Sequence, residues 1–179
     1  MIETYHQDVP MVNVMSCNLA ESDDFDHSID ILKTFVERIK CEKFFLCLCD
    51  DWLADDTESI NDNYTVEGYT EYVEVPLVYC NGKFGKLDKF PSYIMLHDLH
   101  VDTDKSNNYY FSPLHFNERC LGYSVVCNSE FPINSPIYHT WIINICNSIE
   151  NIRKKICLEN ALKKLETLYV IDPLSQIYN

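Results

Sequence analysis

The sequence predicts an α+β domain: a mainly antiparallel sheet with helices on one face, ending in a long C-terminal helix. Three observations lead there. Short apolar or alternating runs of strand length, Phe44 to Cys49, Tyr72 to Cys80, Tyr109 to Phe116 and Cys120 to Cys127, fill the middle of the chain. Stripes at helical spacing stand before and after these runs rather than between each pair, an order that segregates helices to one side of the sheet. From about Trp141 to Ile171 an apolar-periodic stretch continues without Pro or Gly.

Residues 1–21 read as a lead-in segment, where Met11, Val12, Met15 and Leu19 recur at helical spacing after Pro10, a residue tolerated in a first helical turn. The next helix follows Ser22. Its stripe is Phe25, Ile29, Leu32, Phe35, Val36 and Ile39; Asp23, Asp24 and Asp26 complement the dipole of its first turn, and Ser22 is placed to cap free amides. Phe44 to Cys49 is continuously apolar and short, as a buried central strand requires. The stretch from Asp50 to about Glu71 reads as an acidic loop. In Tyr72 to Cys80 the alternation puts Val73, Val75, Leu77 and Tyr79 on one drier face, while Pro76 interrupts the hydrogen-bond ladder and predicts an edge position or a bulge. Asn81-Gly82 supplies a turn. Residues 83–108 read as irregular, closing with a polar loop from Asp102 to Asn108. Asn117-Glu118-Arg119 then joins the last two strands as a hairpin, and Pro132 and Pro136 separate the sheet from the final helix.

Composition narrows the function classes. A chain of 179 residues with 46% hydrophobic and 13% aromatic residues suits one packed domain with an extension. The formal net charge of −14 excludes unspecific binding to nucleic acid or to an anionic membrane, because both need Lys and Arg against phosphate. Residues 50–75 hold nine acidic side chains and no Lys or Arg, read as a solvated loop in preference to a cation site or a basic partner's footprint. Nine cysteines is an odd number, and several lie inside strand-like runs where a free thiol acts as a small hydrophobe, so a reducing cytoplasm is expected. The N-terminus lacks signal-peptide features, and no run approaches the roughly 20 apolar residues of a membrane helix.

Asp172-Pro173-Leu174-Ser175-Gln176-Ile177-Tyr178-Asn179 is similar to the Asp-x-Leu-Thr-x-Leu-x-Asn-Arg entrance of GGDEF diguanylate cyclase domains, with Ser175 in place of the usual Thr. Phe44 to Cys49, and Ser112-Pro113-Leu114-His115-Phe116 with Arg119 to Tyr123, resemble the first and last strand regions of the GAF-like sensor domains that precede such cyclases. The resemblance implies a GAF-like sensor domain over 22–157, a signalling linker helix over 158–171, and the start of a truncated GGDEF domain at 172–179. It implies a non-catalytic cytoplasmic sensory and dimerisation module that regulates an attached diguanylate cyclase in a bacterial signalling protein. The Gly-Gly-Asp/Glu-Glu-Phe signature is absent from the chain itself and is expected further on in the parent protein. Sensor domains of this type bind small molecules between the sheet and the irregular excursion. Candidates for an unidentified ligand are Trp52, Tyr64, Tyr69, Tyr93, His97, His100 and Tyr109, whose side chains combine apolar area with a polar handle.

The final helix carries two stripes. Ile142, Ile145, Ile149, Ile152 and Ile156 form one, whereas Leu158, Leu162, Leu165 and Tyr169 continue on a shifted face suited to a second copy of the same helix. A homodimer is expected through that face, and the phase break offers two registers for a signal; the alternative is a helix that folds back on its own sheet. His97-Asp98-Leu99-His100, with Asp102 and Asp104, is a weak metal pattern read as ordinary loop residues, so no metal or cofactor is assigned. Cys47 and Cys49 are expected on opposite faces of their strand, which would prevent them from clamping one ion. Only four glycines are present, too few for a phosphate-cradling loop. Two further readings stay open: a ligand-free interaction scaffold, and a GAF-like thiol reductase using Cys80, Cys120 or Cys127, with Arg119 beside Cys120 as the local cation.

Overall fold

The structure is a computed structural model that describes the backbone of residues 2–22, 24–54, 69–96 and 106–170, and the side chains among these from 9 to 167. Its elements run α1 (Ile2–Ala20), α2 (Phe25–Val36), β1 (Lys43–Cys49), β2 (Tyr72–Cys80), β3 (Lys83–Pro91), β4 (Tyr109–Phe116), β5 (Arg119–Cys127), the single turn α3 (Phe131–Asn134) and α4 (Tyr138–Val170). The strands form one antiparallel sheet in the order β3-β2-β1-β5-β4. This is the α+β architecture that the order of apolar runs predicts.

Helix α1 begins well before Pro10, which therefore lies inside it rather than in its first turn. An interior Pro removes a helical hydrogen bond. Burial of Val12, Met15 and Leu19 in the main core offsets that loss, so the predicted lead-in forms part of the helical layer. At α2 the cap is Asp24, not Ser22: its Oδ1 accepts the His27 amide at 2.7 Å. Ser22 instead turns back, its hydroxyl donating to the Leu19 carbonyl at the end of α1 at 2.8 Å. Asp24→Ala is expected to lower stability by about 1 kcal/mol, a shift that urea titration followed by circular dichroism can resolve.

Strand β1 is buried along its whole length because both of its faces are covered. Its even residues Phe44, Leu46 and Leu48 meet the helices, together with Trp141, Phe35 and Ile145. Its odd residues Phe45 and Cys47 enter a second, smaller cluster on the opposite face with Val73, Val75, Phe90, Tyr123 and Val125.

Two bulges decide which side chains reach which face. Leu46 pairs with Leu77 but Leu48 with Glu74, so Val75 and Pro76 together stand opposite Cys47. Pro76 thus sits at a bulge in an interior strand, where its missing donor disrupts no regular ladder. The bulge also splits the expected single dry face of β2: Val73 and Val75 face the second cluster, and Leu77 faces the helices. The other bulge lies in β5, where Leu114 pairs with Gly122 and His115 with Cys120, leaving Leu121 as the extra residue. Gly122 has φ +137°, and a Cβ there would fall on the Cys47 carbonyl oxygen and 2.9 Å from the Leu48 Cα.

Strand β3 replaces the start of the region read as irregular. Its composition hides it: Lys83, Gly85, Lys86, Asp88 and Lys89 give no apolar alternation. As the edge of the sheet it needs none, and exposed lysines protect such an edge from pairing with another chain. The hairpin turn at Asn81-Gly82 is as predicted, with both residues at positive φ.

Candidate functional site

The sheet face away from the helices is the first candidate site. Its floor is the second cluster, and Tyr123 stands at its centre. The Tyr123 hydroxyl donates to the Met95 carbonyl at 2.7 Å, while its ring meets Tyr69 edge-on at 5.4 Å and Phe111 at 6.2 Å. Burial raises the Tyr123 phenol, and the neighbouring Cys47 adds to that shift. Tyr69, Phe111 and Met95 are exposed around this buried ring. The floor itself is closed, so the exposed side chains of Tyr69, Phe111 and Met95 are what this face offers to another molecule.

The predicted ligand residues divide. Tyr69 and Tyr109 lie on this face, Tyr69 against Tyr123 and Tyr109 against the second cluster. Trp52 does not join them. It is buried on the helix side, its ring 4.7 Å from that of Phe25 in the main core. Tyr93 is 82% exposed on the short turn after β3. Tyr64, His97 and His100 lie outside the described residues, as do Asp98, Asp102 and Asp104. Among the described residues no three His, Cys, Asp or Glu side chains gather as a metal site would need.

A thiol pair borders the same face. Cys47 and Cys49 share a face, contrary to the expectation, because side chains two apart in a strand point the same way. Cys49 is fully buried opposite Val73, and its Sγ lies 4.0 Å from Sγ of Cys120 in β5. That contact leads the lowering of Cys49 to about 7, with the amide and hydroxyl of Thr70 adding to it. The same contact, together with burial, holds Cys120 far above the usual thiol range. The pair therefore releases one proton readily and retains the second. Burial alone pushes Cys47 up to about 12. Arg119, expected as the cation activating Cys120, points elsewhere: its guanidinium donates to the carbonyls of Asp51 and Ala54, each at 3.2 Å.

The Ala54 carbonyl also receives Arg153 of α4, at 3.0 Å. Arg153 and Glu150 form a two-pronged ion pair, Nε to Oε2 at 2.9 Å and Nη2 to Oε1 at 2.8 Å, with both side chains almost wholly buried. Lys154 reaches Glu150 from the surface at 3.5 Å and lies over the Phe116 ring. This network ties α4 to the turn after β1. In the sequence the isoleucine stripe masks it, because a buried charged pair breaks no apolar spacing. Arg153 falls four positions after Ile149, on the same buried face, and that placement was its one visible signal.

Beyond Arg153 the helix changes character. Trp141, Ile142, Ile145, Ile149 and Ile152 are buried and Ile156 half-buried, whereas every described side chain from Leu158 to Thr167 is exposed. Leu158, Leu162 and Leu165 are 62%, 51% and 50% exposed. Tyr169 belongs to the helix, and its side chain lies outside those described. No helix among the described residues is long and apolar enough to cross a membrane.

Comparison with protein-family models finds no match, and comparisons with curated proteins and with solved structures find none either.

Proposed function

We propose that this chain is a non-catalytic sensory and dimerisation module of a bacterial cytoplasmic signalling protein, regulating an attached diguanylate cyclase domain. One observation carries the reading. The first half of α4 is fixed to the sheet through the isoleucines and Arg153, while its second half projects with leucines at spacings of four and three residues on one side. A second copy of the helix covers such a stripe, and two paired helices bring two output domains together at high effective concentration. The similarity of Asp172 to Asn179 to a cyclase entrance supplies the identity of that output, and cyclic di-GMP would be its product. A small ligand on the Tyr69–Tyr123 face is the input of this reading, acting by differential affinity for two arrangements of α4.

Sedimentation velocity over a concentration series tests it. Each Leu buried in the pair contributes roughly 1.5–3 kcal/mol. Leu162→Asp with Leu165→Asp should therefore weaken self-association about 100-fold or more, with the circular dichroism spectrum unchanged. Lys163→Ala with Lys164→Ala is the control expected to leave association intact. A wild-type chain that stays monomeric at high micromolar concentration refutes the dimer, and an Asp variant that associates equally well refutes this stripe of α4 as its interface.

A further inference from the structure

Nine free thiols occupy the chain, and most have structural surroundings. Cys41 and Cys157 direct their S–H groups at the carbonyls of Val36 and Leu53, and Cys47 is buried beneath Tyr123. Cys49 and Cys120 differ. Their sulfurs face each other at 4.0 Å across adjacent strands, near the ends of β1 and β5 where the ladder gives way to turns. Cys49 is inaccessible and Cys120 partly accessible, so only a small oxidant can reach the pair, from the Cys120 side.

We propose that Cys49 and Cys120 form a redox-active dithiol, reversibly oxidised to an intramolecular disulfide by hydroperoxides. The step balances without another co-reactant. The thiolate of the pair attacks one peroxide oxygen, the O–O bond breaks, and a sulfenic acid forms as the departing oxygen takes up a proton and leaves as alcohol or water. The second sulfur then displaces the sulfenic oxygen as water, and the S–S bond forms. The dithiol loses two electrons and two protons; the hydroperoxide gains both. Closing from 4.0 Å to the roughly 2.0 Å of a disulfide needs a modest approach of the two strand ends. Shared ionisation of the pair supplies the thiolate near neutral pH. The site stands apart from self-association through α4 and is read by a different measurement.

The test uses the full chain carrying Cys17→Ser, which removes an exposed thiol able to cross-link separate molecules. Reduced protein is treated with equimolar hydrogen peroxide, quenched by alkylation at intervals, and mapped by mass spectrometry without reduction. A peptide joining Cys49 to Cys120 should appear at least tenfold faster than any other linkage, and dithiothreitol should restore both thiols. With Cys120→Ser, the linked peptide should disappear with no other linkage to Cys49 rising in its place. If that variant folds poorly, the map of the parent chain decides alone. A dominant bond among Cys41, Cys80 and Cys127, or alkylation of Cys49 and Cys120 undiminished by peroxide, overturns the proposal.

Discussion

Gly122→Ala is expected to destabilise the domain by about 4 kcal/mol or more, among the largest effects available to a single methyl group. Two costs combine at this position. The backbone holds φ at +137°, a region that L side chains rarely adopt, and the new Cβ would fall on the Cys47 carbonyl, an atom of the central strand that cannot swing aside. Relief would require β5 to move away from β1, opening the ladder in the middle of the sheet. The melting temperature should fall by roughly 8–16 °C, on a scale of about 2–4 °C per kcal/mol for a chain of this size. Gly85→Ala is the comparison, since nothing lies within 4 Å of a Cβ there and its φ is unstrained. If the two variants melt together, the close approach at the β5 bulge is not a constraint on this sheet.

Arg153→Ala should cost about 3–5 kcal/mol, because it leaves the Glu150 carboxylate buried without its two-pronged partner. Lys154 can approach that carboxylate only from the surface side, which places the expected loss toward the lower end of the range. The double replacement Glu150→Leu with Arg153→Met should recover most of the loss, since similar-sized apolar groups remove the stranded charge. Added salt should leave the difference between the parent chain and Arg153→Ala nearly unchanged, because ions do not screen a pair this deeply buried. Urea titrations of the three proteins provide the comparison. A double variant no more stable than the single one would mean that the pair holds α4 in place rather than merely neutralising itself.

Strands β1, β4 and β5, helix α2 and the extent of α4 were legible because local pattern and tertiary environment agree in them. Phe44 to Cys49 is apolar on both faces because both faces are covered, and the isoleucine stripe of α4 is the stripe that meets the sheet. The failures share a physical origin in backbone geometry. Parity along β2 and β5 breaks at Pro76 and Leu121, so no alternation rule could assign Val75 and Leu77 to opposite faces. Strand β3 owes its existence to pairing with β2 and to a solvated edge, neither of which leaves an apolar trace. The amphipathic side chain of Trp52 suits the pocket that the resemblance implies, whereas the turn after Cys49 folds it toward Phe25. The Cys49–Cys120 contact joins residues 71 positions apart, and only the β1–β5 register brings them together.

The shared carbonyl of Ala54 has a genetic consequence. Arg119 from the sheet and Arg153 from the long helix both hold an oxygen that every amino acid carries, so the identity of residue 54 is nearly irrelevant to the bond. Exchange of Ala54 for Ser or Gly would leave the acceptor in place, and a scan of side chains would record the position as silent. Disruption there requires editing either donor, or replacing the amide that follows Ala54 with an ester, whose carbonyl is a weaker acceptor. Ancestral drift could rewrite position 54 while the two arginines stayed fixed, and the junction between sheet and helix would persist without any signature at its own position.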